Sequence, residues 1–379
     1  MSRKHFSWLL IITLVVAAAV LLVPGKTGRE AGVEKTALLP DLQLRVNDLD
    51  QVRFVGAGDA VIATLRRAGD HWQVEELHGY RADWDRLRAL LADLAQAEVV
   101  EAKTAKPEYY DRLGVEDVSA ASASGVRVEF SEASGVPAVI IGKRAQGREG
   151  RYARVQGATA SALLDRDLDL PAAREDWLEK TIVDIADAEA VEFDIRHADG
   201  ERIVARKASA DDENFVLQDI PAGRTVRSAW AVDALAGSLS ALNLEAVAPA
   251  SEIDWNEAVR FGLVTADGLR LDVELVQRAP AEDGVAAEGQ QAAAEHWIRL
   301  QAGLYQTAVD SAVEVADAAG EPAEDAPAEA VGAPADATER AAEINGRVTG
   351  WAYRIPEHKY ESMTRRMEDL LQVPDQPGT

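Results

Sequence analysis

The chain has 379 residues, is 47% hydrophobic and 28% charged, carries a net charge of −25 and contains no cysteine. That length accommodates two or three domains with real hydrophobic cores. The acidic balance argues against nucleic acid, whose phosphates need a basic face, and disfavours lying flat on anionic lipid; the missing cysteines exclude disulfides, thiolate zinc sites and cysteine nucleophiles.

Arg3 and Lys4 precede the uncharged stretch 6–23. As a helix it would reach roughly 27 Å, close to the hydrocarbon thickness of a bilayer. The positive charges before it place the start of the chain in the cytoplasm. Residues 1–24 therefore read as an uncleaved transmembrane anchor. The rival reading is a secretory signal peptide cut near Ala17, Ala18 and Ala19, but Val20, Leu21, Leu22 and Val23 prolong the apolar run past that point. Either reading exports the rest, so the expected location is the inner membrane, single-pass, with the body in the periplasm or exterior. Residues 25–41, with Pro24 and Pro40 at their ends and Gly25, Gly28 and Gly32 inside, read as a tether.

The body opens with strand patterns at 52–55, 61–66 and 72–75. Asp83 is placed to cap a helix carrying Leu87, Leu90, Leu91 and Leu94 at helical spacing. "KPEYYDRLGV" predicts a short helix stopped by Gly114. Further strands are expected at 99–100, 126–130, 138–141, 152–155 and 160–164, then a helix around 172–180. The pattern then starts again. Strands at 191–196, 203–206 and 215–217 lead to a helix capped by Ser228, with Val232, Leu235, Leu239 and Leu242. "IDWNEAVRFG" takes the place of "EYYDRLGV", "GLRLDVEL" that of "GVRVEF", and "HWIRLQ" that of "RYARVQ". The expected fold class is α+β: a transmembrane helix, then two tandem repeats of a mixed, mainly antiparallel sheet-plus-helix unit, 42–182 and 183–373, with a tail at 374–379. Residues 306–341, rich in Ala, Glu, Asp and Pro, read as a disordered acidic insert in the second repeat, with partner binding as the alternative.

"VNDLDQVRF" (46–54), "YYDRLGVED" (109–117), "IIGKRAQGREGRYARVQG" (140–157) and "REDWLEKTIVDI" (174–185) carry a resemblance. In these stretches, and in the order of the pieces over most of 40–250, the chain resembles the domain-of-unknown-function family 4340. The resemblance implies a membrane-anchored protein facing away from the cytoplasm, often encoded beside ABC-type export or gliding-motility components. No catalytic residues carry over with it.

The residues themselves point to no reaction. The histidines (His5, His71, His78, His197, His296, His358) show no metal-binding helical spacing. "PGKTG" lacks the first glycine of a phosphate loop, and "GAGDAV" lies between two strands and reads as a hairpin turn. Asp165, Asp167, Asp169 and Asp176 approach the spacing of a calcium loop, but Leu170 replaces its glycine. Trp72, Trp84, Trp177, Trp230, Trp255, Trp297 and Trp351 read as core, with an aromatic glycan groove as the alternative. No catalytic, cofactor-binding or metal residue is therefore assigned, no cofactor is expected, and the chain is not expected to be an enzyme. The expected function is an accessory or scaffold protein of an ABC-type export system, with the membrane and envelope proteins as partners. The alternatives are an envelope glycan- or lipid-binding module and, further off, a carboxylate-dependent hydrolase.

Overall fold

The computed structural model describes residues 36–209, 212–279, 294–305 and 335–372. The anchor expected at 1–24, the tail at 374–379 and most of the tether lie outside these residues. Among the described residues no helix is long and apolar enough to cross a membrane. The chain divides into two compact units, one running to Glu76 and over Arg81–Trp177, the other comprising Leu77–Tyr80 and Leu178 onward.

Among the described residues, the chain up to Trp177 contributes ten strands: β1 (Thr36–Ala37), β2 (Gln51–Val55), β3 (Val61–Ala68), β4 (His71–Val74), β5 (Tyr80–Arg81), β6 (Glu98–Ala102), β7 (Val126–Phe130), β8 (Val139–Arg144), β9 (Arg151–Val155) and β10 (Ala162–Leu164). They form one sheet in the order β1-β6-β10-β9-β8-β7-β2-β3-β4-β5. Three helices accompany it: α1 (Pro40–Arg45), α2 (Trp84–Gln96) and α3 (Tyr110–Leu113). The side chain of Asp83 accepts from the Arg86 amide at 3.0 Å, satisfying one orphan donor of α2. Leu87, Leu90, Leu91 and Leu94 form the buried stripe of that helix. Phe54 and Trp177, both fully buried, stack with ring centroids 4.3 Å apart.

The second unit contributes β11 (Thr181–Val183), β12 (Ala190–Arg196), β13 (Arg202–Arg206), β14 (Val216–Leu217), β15 (Leu242–Asn243), β16 (Ala246–Pro249), β17 (Val259–Thr265), β18 (Leu269–Arg278), β19 (Glu295–Leu304) and β20 (Trp351–Arg354). Eight of them form a sheet ordered β14-β13-β12-β17-β18-β19-β20-β16, while β11 and β15 pair separately. Its helices are α4 (Ala229–Ala236), α5 (Ala335–Val348), α6 (Glu357–Met363) and α7 (Met367–Leu370). The Ser228 hydroxyl accepts from the Ala231 amide at 3.2 Å and caps α4. In β18 and β19 the buried residues Leu271, Val273, Leu275, Ile298, Leu300 and Ala302 share one face, because side chains alternate along a strand. Residues 270, 272, 274, 299 and 301 share the other.

Several expectations are corrected. The α+β class is overturned: the described residues are mostly antiparallel sheet with few helices. The helix expected near 172–180 is a 3-10 turn, Arg174–Trp177, followed by β11. "IDWNEAVRFG" does not end in a helix, since its last residues open β17. Branched and aromatic residues in alternation (Val259, Phe261, Leu263) favour a strand there. By strand order β17 stands where β7 does and β18 where β8 does, so "GLRLDVEL" does not correspond to "GVRVEF". The described end of the expected tether is structured: β1 pairs with β6 and α1 starts at Pro40. Within the expected acidic insert, residues 306–334 lie outside the described residues. From Ala335 the chain is helical, with Ala337 and Ala341 buried.

Candidate functional site

In the first unit four residues stand side by side across four strands: Val55 pairs with Arg127, Arg127 with Ile140 and Ile140 with Arg154. In the second unit the corresponding row is Arg196, Arg260, Glu274 and Arg299. The order of strands is the same, β2-β7-β8-β9 against β12-β17-β18-β19. The chemistry of the two rows differs.

The first row is closed by the chain itself. Residues 103–125 connect β6 to β7 and lie over the sheet. Val118 packs with Val55 and Ile140 in a small buried cluster. Arg154, only 5% exposed, donates to Val115 O at 2.7 Å and Ala158 O at 3.3 Å, and pairs with Asp117 at 2.9 Å. Its guanidinium sits 4.7 Å from the centre of the Tyr110 ring. The Tyr110 hydroxyl donates to Thr159 O. Two glycines permit this close cover. A Cβ on Gly142 would run into Leu113 O and come within 2.8 Å of Gly114 O, and one on Gly125 would strike Gly114 O. The "YYDRLGVED" and "YARVQG" stretches therefore have a shared structural purpose: the arginine of one clasps the tyrosine and the turn of the other.

The second row is open. Only residues 250–258 connect β16 to β17, too short a stretch to cover it as 103–125 cover the first. Ile253 is buried in that connection. Trp255 lies under Arg299, 4.7 Å from ring centre to guanidinium, and donates through Nε1 to Ala250 O at 2.8 Å. A cavity of about 680 Å³ stands over the face, lined among others by Asp194, Arg196, Arg260, Arg270, Glu274 and Arg299, with Val348–Trp351 as a wall. A neighbouring depression of about 590 Å³ shares Arg196 and Arg260 and includes Trp255.

The charges on this face are organised. Asp194 is buried and receives Arg270 Nη2 at 3.0 Å and Arg196 Nε at 2.9 Å. Arg270 reaches it across β17 only because position 262 is glycine: a Cβ there would collide with Arg270 Nη2 and lie 2.7 Å from Asp194 Oδ1. Burial works against the Arg270 charge, but Asp272 and Asp194 more than offset it and hold the guanidinium above its ordinary pKa. Glu274 accepts from Arg260 Nε at 3.2 Å and from Arg299.

The residues singled out from sequence do not converge. Asp165 accepts from the Glu98 amide and from Arg166. Asp167 pairs with Arg144 at 2.7 Å and Arg151 at 3.2 Å. Burial lowers the Arg151 pKa, with Asp167 opposing. The Asp176 carbonyl accepts from Arg86. Among the described residues no group of three potential metal ligands forms. His197 faces Arg365 O at 3.1 Å and His296 lies on Tyr360, both buried. "GAGD" is the β2–β3 turn, with Gly58 at φ 67°. "PGKTG" and His5 lie outside the described residues. Trp72, Trp177 and Trp297 are core; Trp84 and Trp230 are exposed; Trp255 and Trp351 border the open face. Sequence reading passed over Arg196, Arg260, Arg270 and Arg299. The signal was present: "IR", "VRFG", "LRLDVE" and "WIRLQ" each set a charge at an alternate position of a strand that is apolar on its other face.

The fold and the face define a mainly antiparallel β protein with a charged recess on its second sheet. Residues 72–259 match the family described as domain of unknown function (DUF4340), and this part of the chain belongs to that family. The match includes the Arg154 clasp and Arg196, and ends before Arg260, Glu274 and Arg299. No curated protein and no solved structure matches the chain.

Proposed function

We infer that this is a non-enzymatic accessory or scaffold protein, anchored in the inner membrane by residues 6–23, with its body outside the cytoplasm and an ABC-type export system as its partner. The observation that carries a recognition role is the open row Arg196–Arg260–Glu274–Arg299. The first unit covers the same row with its own chain, whereas the second leaves arginines facing solvent in a protein of net charge −25. Surfaces that keep polar groups in an unfilled recess are the usual places for binding. The anchor and the export partner are supported by the sequence of the first segment and by the family resemblance. A second reading, an envelope glycan-binding module, is favoured by Trp255 and Trp351 beside the arginines.

The test is a pull-down of the full chain from detergent-solubilised membranes, scored only for identified transport subunits. Recovery by the wild type, and its loss in Arg196→Glu with Arg260→Glu, is the expected result. Failure to recover any transport subunit at every detergent and salt condition tried would set the accessory role aside. Topology is read alongside: protease added to spheroplasts should degrade the body, and the mature chain should start at or near Met1. A mature chain starting at Val20 would remove the anchor.

A further inference from the structure

We propose that Arg196 and Arg260 clamp the carboxylate of an acidic sugar, a uronic-acid saccharide lying in the recess of the second sheet. The proposal rests on reading this face as a recognition surface, and it names the ligand's chemistry.

Arg196 and Arg260 are direct cross-strand partners on β12 and β17. Like charges in that position destabilise a sheet, and the structure does not hide them: their side chains are 52% and 69% exposed. Each guanidinium spends only its Nε on a protein carboxylate, Arg196 on Asp194 and Arg260 on Glu274. Among the described residues their Nη groups have no protein acceptor. Two guanidinium groups with free Nη donors in the lining of the same recesses are suited to an oxyanion held by charge-assisted N–H···O bonds. Both residues line both recesses, so the clamp sits where the two meet.

The remaining lining narrows the ligand. Four arginines (196, 260, 270, 299) stand against three carboxylates (Asp194, Asp272, Glu274) around the larger recess, and the smaller adds Arg202 with Glu201 and Glu257, so the one net positive charge is confined to the larger recess. That suits a monoanion better than a phosphate dianion. Along the next row Asp194, Gly262, Asp272 and Gln301 follow one another across the strands. Asp272, which accepts from Arg270 through one carboxylate oxygen, and Gln301 offer further acceptors that hydroxyl groups can use. The space above Gly262 is taken by the Arg270 guanidinium, which forms a flat floor there, and Trp351 supplies an aromatic wall. A volume of about 680 Å³ lies in the range of small-ligand sites. A sugar acid brings one carboxylate, several hydroxyls and an apolar ring face.

The experiment titrates the detergent-solubilised full chain by calorimetry with a galacturonic acid trisaccharide, a neutral glucose trisaccharide and inorganic phosphate. The acidic trisaccharide should bind and the other two should not. Arg196→Gln and Arg260→Gln should each weaken binding by about tenfold, the loss of one charge-assisted pair. Arg53→Gln, in the first unit, should leave it unchanged, and thermal melts of all variants confirm folding. No binding of the acidic trisaccharide, unchanged binding in folded Arg196→Gln and Arg260→Gln, or equal binding of the neutral sugar or of phosphate would overturn the proposal. A chain that still recovers its transport partner while ignoring the sugar would overturn this ligand and leave the accessory role standing.

Discussion

Arg154 and Arg299 occupy the same position in the two sheets, yet replacing each by Met should have unequal consequences. Met keeps much of the aliphatic stem and removes the guanidinium. At position 154 the loss strands Val115 O, which accepts at 2.7 Å from a side chain only 5% exposed. An unsatisfied buried acceptor costs about 1–3 kcal/mol. The stack on Tyr110, 4.7 Å away and desolvated, adds about 1–2 kcal/mol. Asp117 adds little because its side chain is 72% exposed. The sum is about 2–5 kcal/mol, or roughly 4–20 °C in melting temperature for a unit of this size. At position 299 the lost partners are Glu274 and the Trp255 ring, on a side chain 42% exposed. Partly exposed pairs and stacks of this kind contribute about 1 kcal/mol. Scanning calorimetry gives the overall shifts, and hydrogen-exchange mass spectrometry localises them. Arg154→Met should lose protection in peptides covering 113–118, and Arg299→Met should stay within about 4 °C of wild type. Equal destabilisation by the two, or no loss of protection over 113–118, would refute the closed-versus-open distinction.

Gly142→Ala should destabilise the first unit by about 1–3 kcal/mol, since the new methyl meets backbone oxygens rather than a movable side-chain end; a melting temperature equal to wild type would contradict this. Arg148, and after it Lys103, hold the Glu101 carboxylate at about 2, down from 4.5. A depressed folded-state pKa gives stability that is complete above 4.5 and fades as pH falls toward 2, so Glu101→Gln should flatten acid sensitivity in that window, measured by urea titrations at several pH values. Deleting 308–333 should leave the melting temperature nearly unchanged, because closure entropy depends weakly on loop length. Extending the deletion to 338 should lower it, because the first turn of α5 and the buried Ala337 are then lost.

Local patterns were legible wherever one periodicity ruled. Asp83 and Ser228 announce their helices, and the leucines of α2 mark its buried face. The Gly114 stop after Leu113 was equally plain, since its φ of 69° suits glycine. What sequence hid was the balance between helix and strand. "REDWLEK" has helical composition, but Trp177 is drawn into the core against Phe54 and tertiary packing decides. β17 was missed because "IDWNEAVRFG" parallels the helical "EYYDRLGV" in order along the chain, while its last residues open the strand. The open face was the least legible feature. It depends on the length of a connection, 250–258 against 103–125, and on which residues stand opposite across strands. Register of that kind is fixed by pairing and not written in any local stretch.

The central claim is that the uncovered row of the second sheet is the surface by which this protein meets its partner or ligand. Site-specific photocrosslinking in intact cells tests it most directly, with a photoreactive residue placed at Thr349, exposed on the rim of the recess, and, as the control, at Arg127 in the closed row. The account predicts a discrete adduct with an envelope component or glycan from position 349, lost when Arg196 and Arg260 are also changed to Glu, and none from position 127. Equal adducts from both positions, or none from position 349 alongside strong ones from exposed sites such as Trp230, would contradict it.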